Sequence, residues 1–210
     1  MNTSTTTNIY NLIILDESGS MQSIYRPALT GLNETLQTIR AAQTENLDQN
    51  HLVTLVTFNS TRYYVIYRNT PAASTTDIQT EQYQPCACTP LFDTIGRAVN
   101  ELRPTINEGD VVLVTIITDG YENDSREYNV DAIKALVEEL RLKGWVFTYI
   151  GANQDVEKVA MSMSIKHHLA FNADEQGTNV MFETENTSRM NFYCAIQHRL
   201  HDLLDDELYF

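Results

Sequence analysis

The chain has 210 residues, 42% of them hydrophobic and 20% charged, with a formal net charge of −14 and three cysteines. That length suits one α/β domain with a substantial core, and the acid excess repels phosphate backbones, which argues against nucleic acid as a partner. One tight pair, Cys86 and Cys88, and a distant Cys194 make neither a disulfide framework nor a complete zinc set, and fit free thiols in a reducing compartment.

The opening MNTSTTTN carries no basic residue, so residues 1–7 read as a polar, flexible tail without a signal peptide. No run reaches the roughly 18 apolar residues of a membrane span, and the expected location is cytoplasmic. Residues 8–210 are expected to form a single domain. Ile9–Leu15, a short apolar run ended by an acid, is a strand buried on both faces. Leu29, Leu32, Leu36 and Ile39 follow at spacings of three and four, the apolar face of a helix. His51–Phe58 and Tyr63–Tyr67 are strands separated only by the turn formers Asn59–Arg62. So short a link forces an antiparallel hairpin, because a parallel crossover needs about a dozen residues or more.

A polar stretch from Pro71 to Pro90 leads to a helix over Leu91–Leu102, with Leu91, Ile95, Ala98 and Leu102 on one side. Val111–Thr118 is the most hydrophobic strand and is expected to be central. A helix over Val130–Lys143, stopped by Gly144, is followed by the strand Trp145–Ile150. A short helix around Val156–Met163 and a short strand near Leu169–Phe171 come next. The segment Arg189 to Leu204 places Phe192, Ile196, Leu200 and Leu203 at helical spacing and is expected to pack across one face. The alternation predicts a doubly wound, mostly parallel six-stranded sheet with one antiparallel edge strand and helices on both faces, a Rossmann-like α/β fold.

Such sheets bind ligands beyond the carboxyl ends of their strands, at the topological switch point. The first strand ends in Asp16-Glu-Ser-Gly-Ser20, the central strand in Asp119-Gly120, and the loop CACTP before the intervening helix carries Thr89. Together these loops offer Asp16, Ser18, Ser20, Thr89 and Asp119: two carboxylates, three hydroxyls, no sulfur and no imidazole. Hard oxygen donors in that number suit Mg²⁺ or Mn²⁺, and hydroxyls favour the smaller ions over Ca²⁺. Residues 16, 18 and 20 can point one way from such a loop while Glu17 and Gly19 point elsewhere. Each piece also has an ordinary structural reading. Asp16 and Ser18 cap turns, Asp119-Gly120 is a turn signal, and Thr89-Pro90 starts a helix with Thr as cap and Pro in the first position.

The combination LDESGSM, CTPLFDTIG and TDGYEN resembles a von Willebrand factor type A (VWA) domain with an intact metal-ion-dependent adhesion site (MIDAS), most similar to compact bacterial intracellular versions. The resemblance covers about residues 8 to 204. It implies that Ser18, Ser20 and Thr89 lie closest to the metal and that Asp16 and Asp119 bind it directly or through water. It also implies one coordination position left for an Asp or Glu carboxylate of a partner protein. Neutral hydroxyls as nearest ligands leave a divalent ion electrophilic toward an incoming anion.

Two rival readings stay open. A metal-dependent hydrolase would use the same oxygens with Glu17 or Glu122 as general base, although the three loops contain no His or Lys and no G-x-S-x-G elbow occurs. A scaffold would bind through its sheet edge or last helix with the metal only structural. Tyr121, Glu122, Asn123 and Asp124, and likewise Tyr25 and Arg26, are expected on the rim of the crevice. His198 and His201 form an H-x-x-H without the adjoining Glu of a zinc protease motif. His167-His168 reads as a helix-to-strand connection, and the tail DLLDDELYF as a frayed end or an acidic docking peptide.

Overall fold

A computed structural model of the chain describes residues 6–197. Its strands are β1 (Thr7–Asp16), β2 (Gln49–Asn59), β3 (Arg62–Pro71), β4 (Val111–Thr118), β5 (Trp145–Gly151) and β6 (His167–Ala170). Its α-helices are α1 (Tyr25–Glu45), α2 (Leu91–Leu102), α3 (Val130–Arg141), α4 (Val156–Ser162) and α5 (Glu175–Gln197). The sheet order is β3-β2-β1-β4-β5-β6, with β2–β3 antiparallel and the other neighbours parallel. The expected architecture, including the antiparallel edge strand, is therefore the observed one.

Strand pleating divides the core. Tyr10, Leu12 and Ile14 of β1 face α2, α3 and α4, packing with Ile95, Val99, Val137 and Ala160. Ile13 and Leu15 face the other way, against Leu32 and Leu36 of α1 and Phe182 of α5. Local signals set the helix ends. Asn129 caps α3 by accepting from the Ala132 amide at 2.9 Å, Asp155 caps α4 through the Lys158 amide at 3.1 Å, and Gly144 at φ +81° closes α3.

Two elements differ most from the sequence expectation. β3 runs on to Pro71 because it is an edge strand: its half-exposed side chains carry no continuous apolar run to mark its length. Helix α5 starts at Glu175, not Arg189, and its buried stripe is partly ionic. Arg189, fully buried, donates to Glu185 Oε1 from both Nε (3.0 Å) and Nη2 (2.5 Å), to Thr115 Oγ1 at 2.8 Å and to Asn11 Oδ1 at 3.0 Å. Tyr193 completes the network by donating to the same Asn11 oxygen. The polar break at Asn11 in β1 is thus filled by a helix residue 178 positions away. Next to this network, burial and the Arg189 charge push His51 down to about 4. Phe192 and Ile196 are buried as expected. Leu200, Leu203, His198, His201 and the tail DLLDDELYF lie outside the described residues, as do residues 1–5.

Candidate metal centre

The switch point of the sheet lies between β1 and β4. From β1 the chain passes through α1 to β2 on one side, and β4 flanks β1 on the other, reached through α2. The parallel register pairs Leu15 with Ile117, so Asp16 and Asp119 leave the sheet side by side. Three of the expected site residues touch directly. Ser18 Oγ and Ser20 Oγ lie 3.1 Å apart, and Ser20 Oγ donates to Asp119 Oδ1 at 2.5 Å.

Asp16 is anchored just below them. Its Oδ1 accepts from the Ser18 amide at 2.7 Å and its Oδ2 from Thr118 Oγ1 at 2.6 Å. Full burial pushes Asp16 up to about 6; the Asp119 charge adds to the rise, while the Thr118 and Ser18 hydrogen bonds oppose it. Burial also raises Asp119, against the Ser20 hydrogen bond. Asp16, Ser18, Thr89 and Asp119 are buried, whereas Ser20 is exposed, so the cluster opens to solvent on the Ser20 side. Gly120 keeps that approach open: a Cβ there would lie 3.3 Å from Ser20 Oγ.

Thr89 joins through the main chain. Its amide donates to Asn123 Oδ1 at 2.8 Å and its carbonyl accepts from the Asn123 amide at 3.1 Å. Its loop meets the first one where the Gly19 amide donates to Ala87 O at 3.0 Å. Among the described residues no side-chain hydrogen bond links Thr89 to the other four. Nor does Thr89 cap the helix with its hydroxyl. Pro90 occupies the cap position, α2 begins at Leu91, and the Leu91 amide donates to the Thr89 carbonyl, which corrects the helix-start reading of Thr89-Pro90. Ser18, at the cap position of the turn Gly19–Ile24, makes no side-chain cap either. The Asp16 bond to the Ser18 amide fixes the entry to that turn, and Ser23 Oγ donates to the Ser20 carbonyl within it at 3.2 Å.

Several positioning residues were not legible as such. Glu17 is fully buried; its Oε1 accepts from the Gln84 amide at 2.5 Å and pairs with Arg62 at 3.5 Å. Glu122 accepts from the Asp124 and Ser125 amides on one oxygen and from the Phe92 amide and Ser125 Oγ on the other. Asp93 takes the amides of Arg126, Glu127 and Tyr128. Asn153, at φ +55°, donates to the Asp119 carbonyl at 3.0 Å. These bonds bind the 122–128 loop to the start of α2 and hold Asp119 from a third side. Of the expected rim, Tyr121 is exposed, while Glu122 and Asn123 serve the loops. His167 and His168 lie within β6 and not in a connection.

The oxygens present fit a hard divalent cation. Two carboxylates converge with serine hydroxyls, and among the described residues the desolvated Asp16 carboxylate makes no ion pair. Among the described residues no group of three or more His, Cys, Asp or Glu is arranged to hold a metal, so a cation here depends on the hydroxyls. No helix of the described residues is long and apolar enough to cross a membrane.

No protein-family model matches the sequence, and no curated protein matches it. Solved structures do match in fold. Proximal thread matrix protein 1 from the mussel byssus superposes with a TM-score of 0.59 at 14% identity, over 85% of this chain and 45% of its own. The vWF domain of the type V pili tip protein Mfa5 from Porphyromonas gingivalis gives 0.59 at 9% identity, over 87% of this chain and 96% of that domain. The SpRpn10 VWA domain gives 0.54 at 11%, over 83% and 93%. The chain spans less than half the length of the byssus protein and nearly all of the two isolated domains. At these identities the likeness is one of fold: the chain shares the α/β architecture of VWA domains.

Proposed function

We propose that the chain is a protein-binding module that holds Mg²⁺ or Mn²⁺ at the carboxyl end of β1 and β4 and captures an Asp or Glu side chain of a partner protein. The observation that carries this reading is the convergence of Ser18, Ser20 and Asp119 within hydrogen-bond distance at the switch point, with Asp16 fixed beneath them. Ser18, Ser20 and Thr89 would be the nearest ligands, with Asp16 and Asp119 supplying the negative charge. When bound, the ion supplies an electrophilic position for a carboxylate oxygen. The chain's own residues do the rest. Asp16 is oriented by Thr118 and the Ser18 amide, Asp119 by Ser20 and Asn153, and the Thr89 backbone by Asn123. Exposed Tyr121, two residues beyond Asp119, offers a partner apolar contact.

A binding role is favoured over hydrolysis by what the two candidate bases already do. Glu17 and Glu122 both accept main-chain amides. The test combines Mn²⁺ titration of the full chain with capture of proteins from a lysate in Mg²⁺ and in excess EDTA. The expected result is a single cation site lost in Asp119→Ala, and a partner retained in Mg²⁺ but released by EDTA and by Asp119→Ala. Partners retained equally in all samples would overturn the metal-dependent reading in favour of a scaffold.

A further inference from the structure

The tripeptide Cys86-Ala87-Cys88 lies next to the oxygen cluster, and the metal reading leaves its two thiols without a role. Both cysteines are exposed. Between them Ala87 has φ +64°, a left-handed conformation uncommon for a residue with a side chain. A disulfide needs Cα atoms roughly 4.4–6.8 Å apart and both side chains on one side of the chain; two residues separated by one turning residue meet the first condition, and the second requires the backbone to shift.

The same tripeptide is the junction of three segments. The Cys86 amide donates to Glu17 O at 2.9 Å, the Gly19 amide to Ala87 O at 3.0 Å, and the Ser60 amide to Cys88 O at 3.0 Å. The Cys88 amide in turn donates to Ser60 Oγ at 3.1 Å. Glu17 and Gly19 flank Ser18, and Cys88 precedes Thr89, so Ser18, Ser20 and Thr89 all hang from this clasp. The Cys86 sulfur is itself engaged, accepting at 3.4 Å from an Asn59 Nδ2 that also donates to Glu17 O at 3.2 Å.

We propose that Cys86 and Cys88 are a redox-modification site: the pair closes to an intrachain disulfide and, in doing so, loosens the oxygen cluster that holds the cation. The second half of the proposal rests on the metal-binding reading; the first does not. The oxidant class is a low-molecular-weight disulfide such as glutathione disulfide. One protein thiolate attacks it, forming a mixed disulfide and releasing one small thiol. The second protein sulfur then attacks the protein sulfur of that mixed disulfide and expels the other small thiol. Two cysteine thiols thereby lose two electrons and two protons, one small disulfide becomes two small thiols, and excess reductant reverses both steps. Ring closure takes the Cys86 sulfur from Asn59 and draws the two side chains to one side of a backbone held on three segments. The 16–20 loop must yield, and the cation site with it.

The test uses the full chain carrying Cys194→Ser, treated with glutathione disulfide or with dithiothreitol. The expected product has lost two hydrogen masses, and proteolysis yields a peptide with Cys86 and Cys88 joined. In it the amides of Gly19 and Ser60 exchange hydrogen faster, and Mn²⁺ binds about tenfold more weakly, the scale on which outer-shell partners act. Dithiothreitol restores both properties, and the Cys86→Ser/Cys88→Ser chain responds to neither reagent. Two separate glutathione adducts without a ring would overturn the proposal, as would a ring that leaves Gly19 and Ser60 exchange unchanged. A reduced chain that binds no Mn²⁺ sinks the metal reading alone, and the mass and exchange readings then decide the thiol proposal.

Discussion

Replacing Asp16 by Asn should make the metal-free protein more stable at neutral pH while removing its response to cation. Burial holds Asp16 at about 6, against an ordinary value of 3.8. A carboxyl raised in the folded state is stabilising, relative to its ionised form, below its unfolded value, and that stability is lost as pH rises through the folded one. The window runs from about pH 4 to about pH 6. A shift of about two units at about 1.4 kcal/mol each puts the loss near 3 kcal/mol by neutral pH. Asn keeps the shape and an oxygen for the Ser18 amide, and its amide group can donate to Thr118 Oγ1, so only part of that gain is returned through weaker hydrogen bonds. In EDTA at pH 7.5 the variant should gain about 1–3 kcal/mol, which for a chain of this size raises Tm by roughly 2–10 °C. At pH 4 the two proteins should melt together. Adding Mg²⁺ should raise Tm of the parent only, since stabilisation by a ligand requires binding. A difference between the proteins that does not change with pH would refute the reasoning, because desolvation of a charge must disappear when the charge does.

Three other substitutions test how the site and its scaffold are held. Asn123→Ala should leave the fold intact and weaken Mn²⁺ binding by about tenfold, because it frees the Thr89 amide without removing a ligand; calorimetric titration checks it. Gly31→Ala should destabilise, although it removes a helical glycine, a change otherwise favourable by about 1 kcal/mol. A Cβ there would lie 2.0 Å from Phe182 Cδ2, and the ring is fully buried, so overpacking of about 2–3 kcal/mol wins. Urea unfolding should show the loss, and Phe182→Leu in the same chain should restore part of it. Arg189→Met alone should cost about 3–5 kcal/mol in the same assay by leaving Glu185 charged and buried, and Arg189→Met/Glu185→Leu should cost distinctly less.

The sequence pattern is faithful where burial is uniform. β4 is apolar at nearly every position and α2 has a clean apolar face, and both occupy the residues the pattern assigns. The pattern fails where burial is mixed or polar. Between Glu175 and Thr187, α5 contains Gly177, Thr178, Thr184 and Thr187, poor helix formers. Thr178, Thr184 and Thr187 settle there by donating to the carbonyls four residues back, at 2.7, 2.8 and 2.9 Å. Glu185 and Arg189 then occupy inward positions that a hydropathy reading assigns to solvent. The missing half of the signal is Asn11, a polar residue in the middle of an otherwise apolar strand. An interior amide needs a partner, and here the partner comes from the helix whose start the apolar spacing misplaced.

The candidate site divides along a similar line. Residues proposed to act through their side chains on a common ligand share a chemistry, so hydroxyls and carboxylates at strand ends can be gathered from the sequence by type and by topology. Glu17, Asp93, Glu122 and Asn123 act on main-chain amides, and an amide has no letter in the sequence. A loop acid therefore looks the same whether it faces a cation, solvent or a neighbouring backbone. The short stretch LDESGSM contains both kinds. Asp16, Ser18 and Ser20 belong to the cluster, while Glu17 between them holds the loop that delivers Thr89. A reading by residue type makes Glu17 a candidate base, whereas the structure shows it buried and accepting the Gln84 amide. The loops are thus built so that most of their acids are consumed in fixing backbone. The two carboxylates left in the cluster, Asp16 and Asp119, are ones whose ionisation burial disfavours, and the proposed divalent cation would offset that cost.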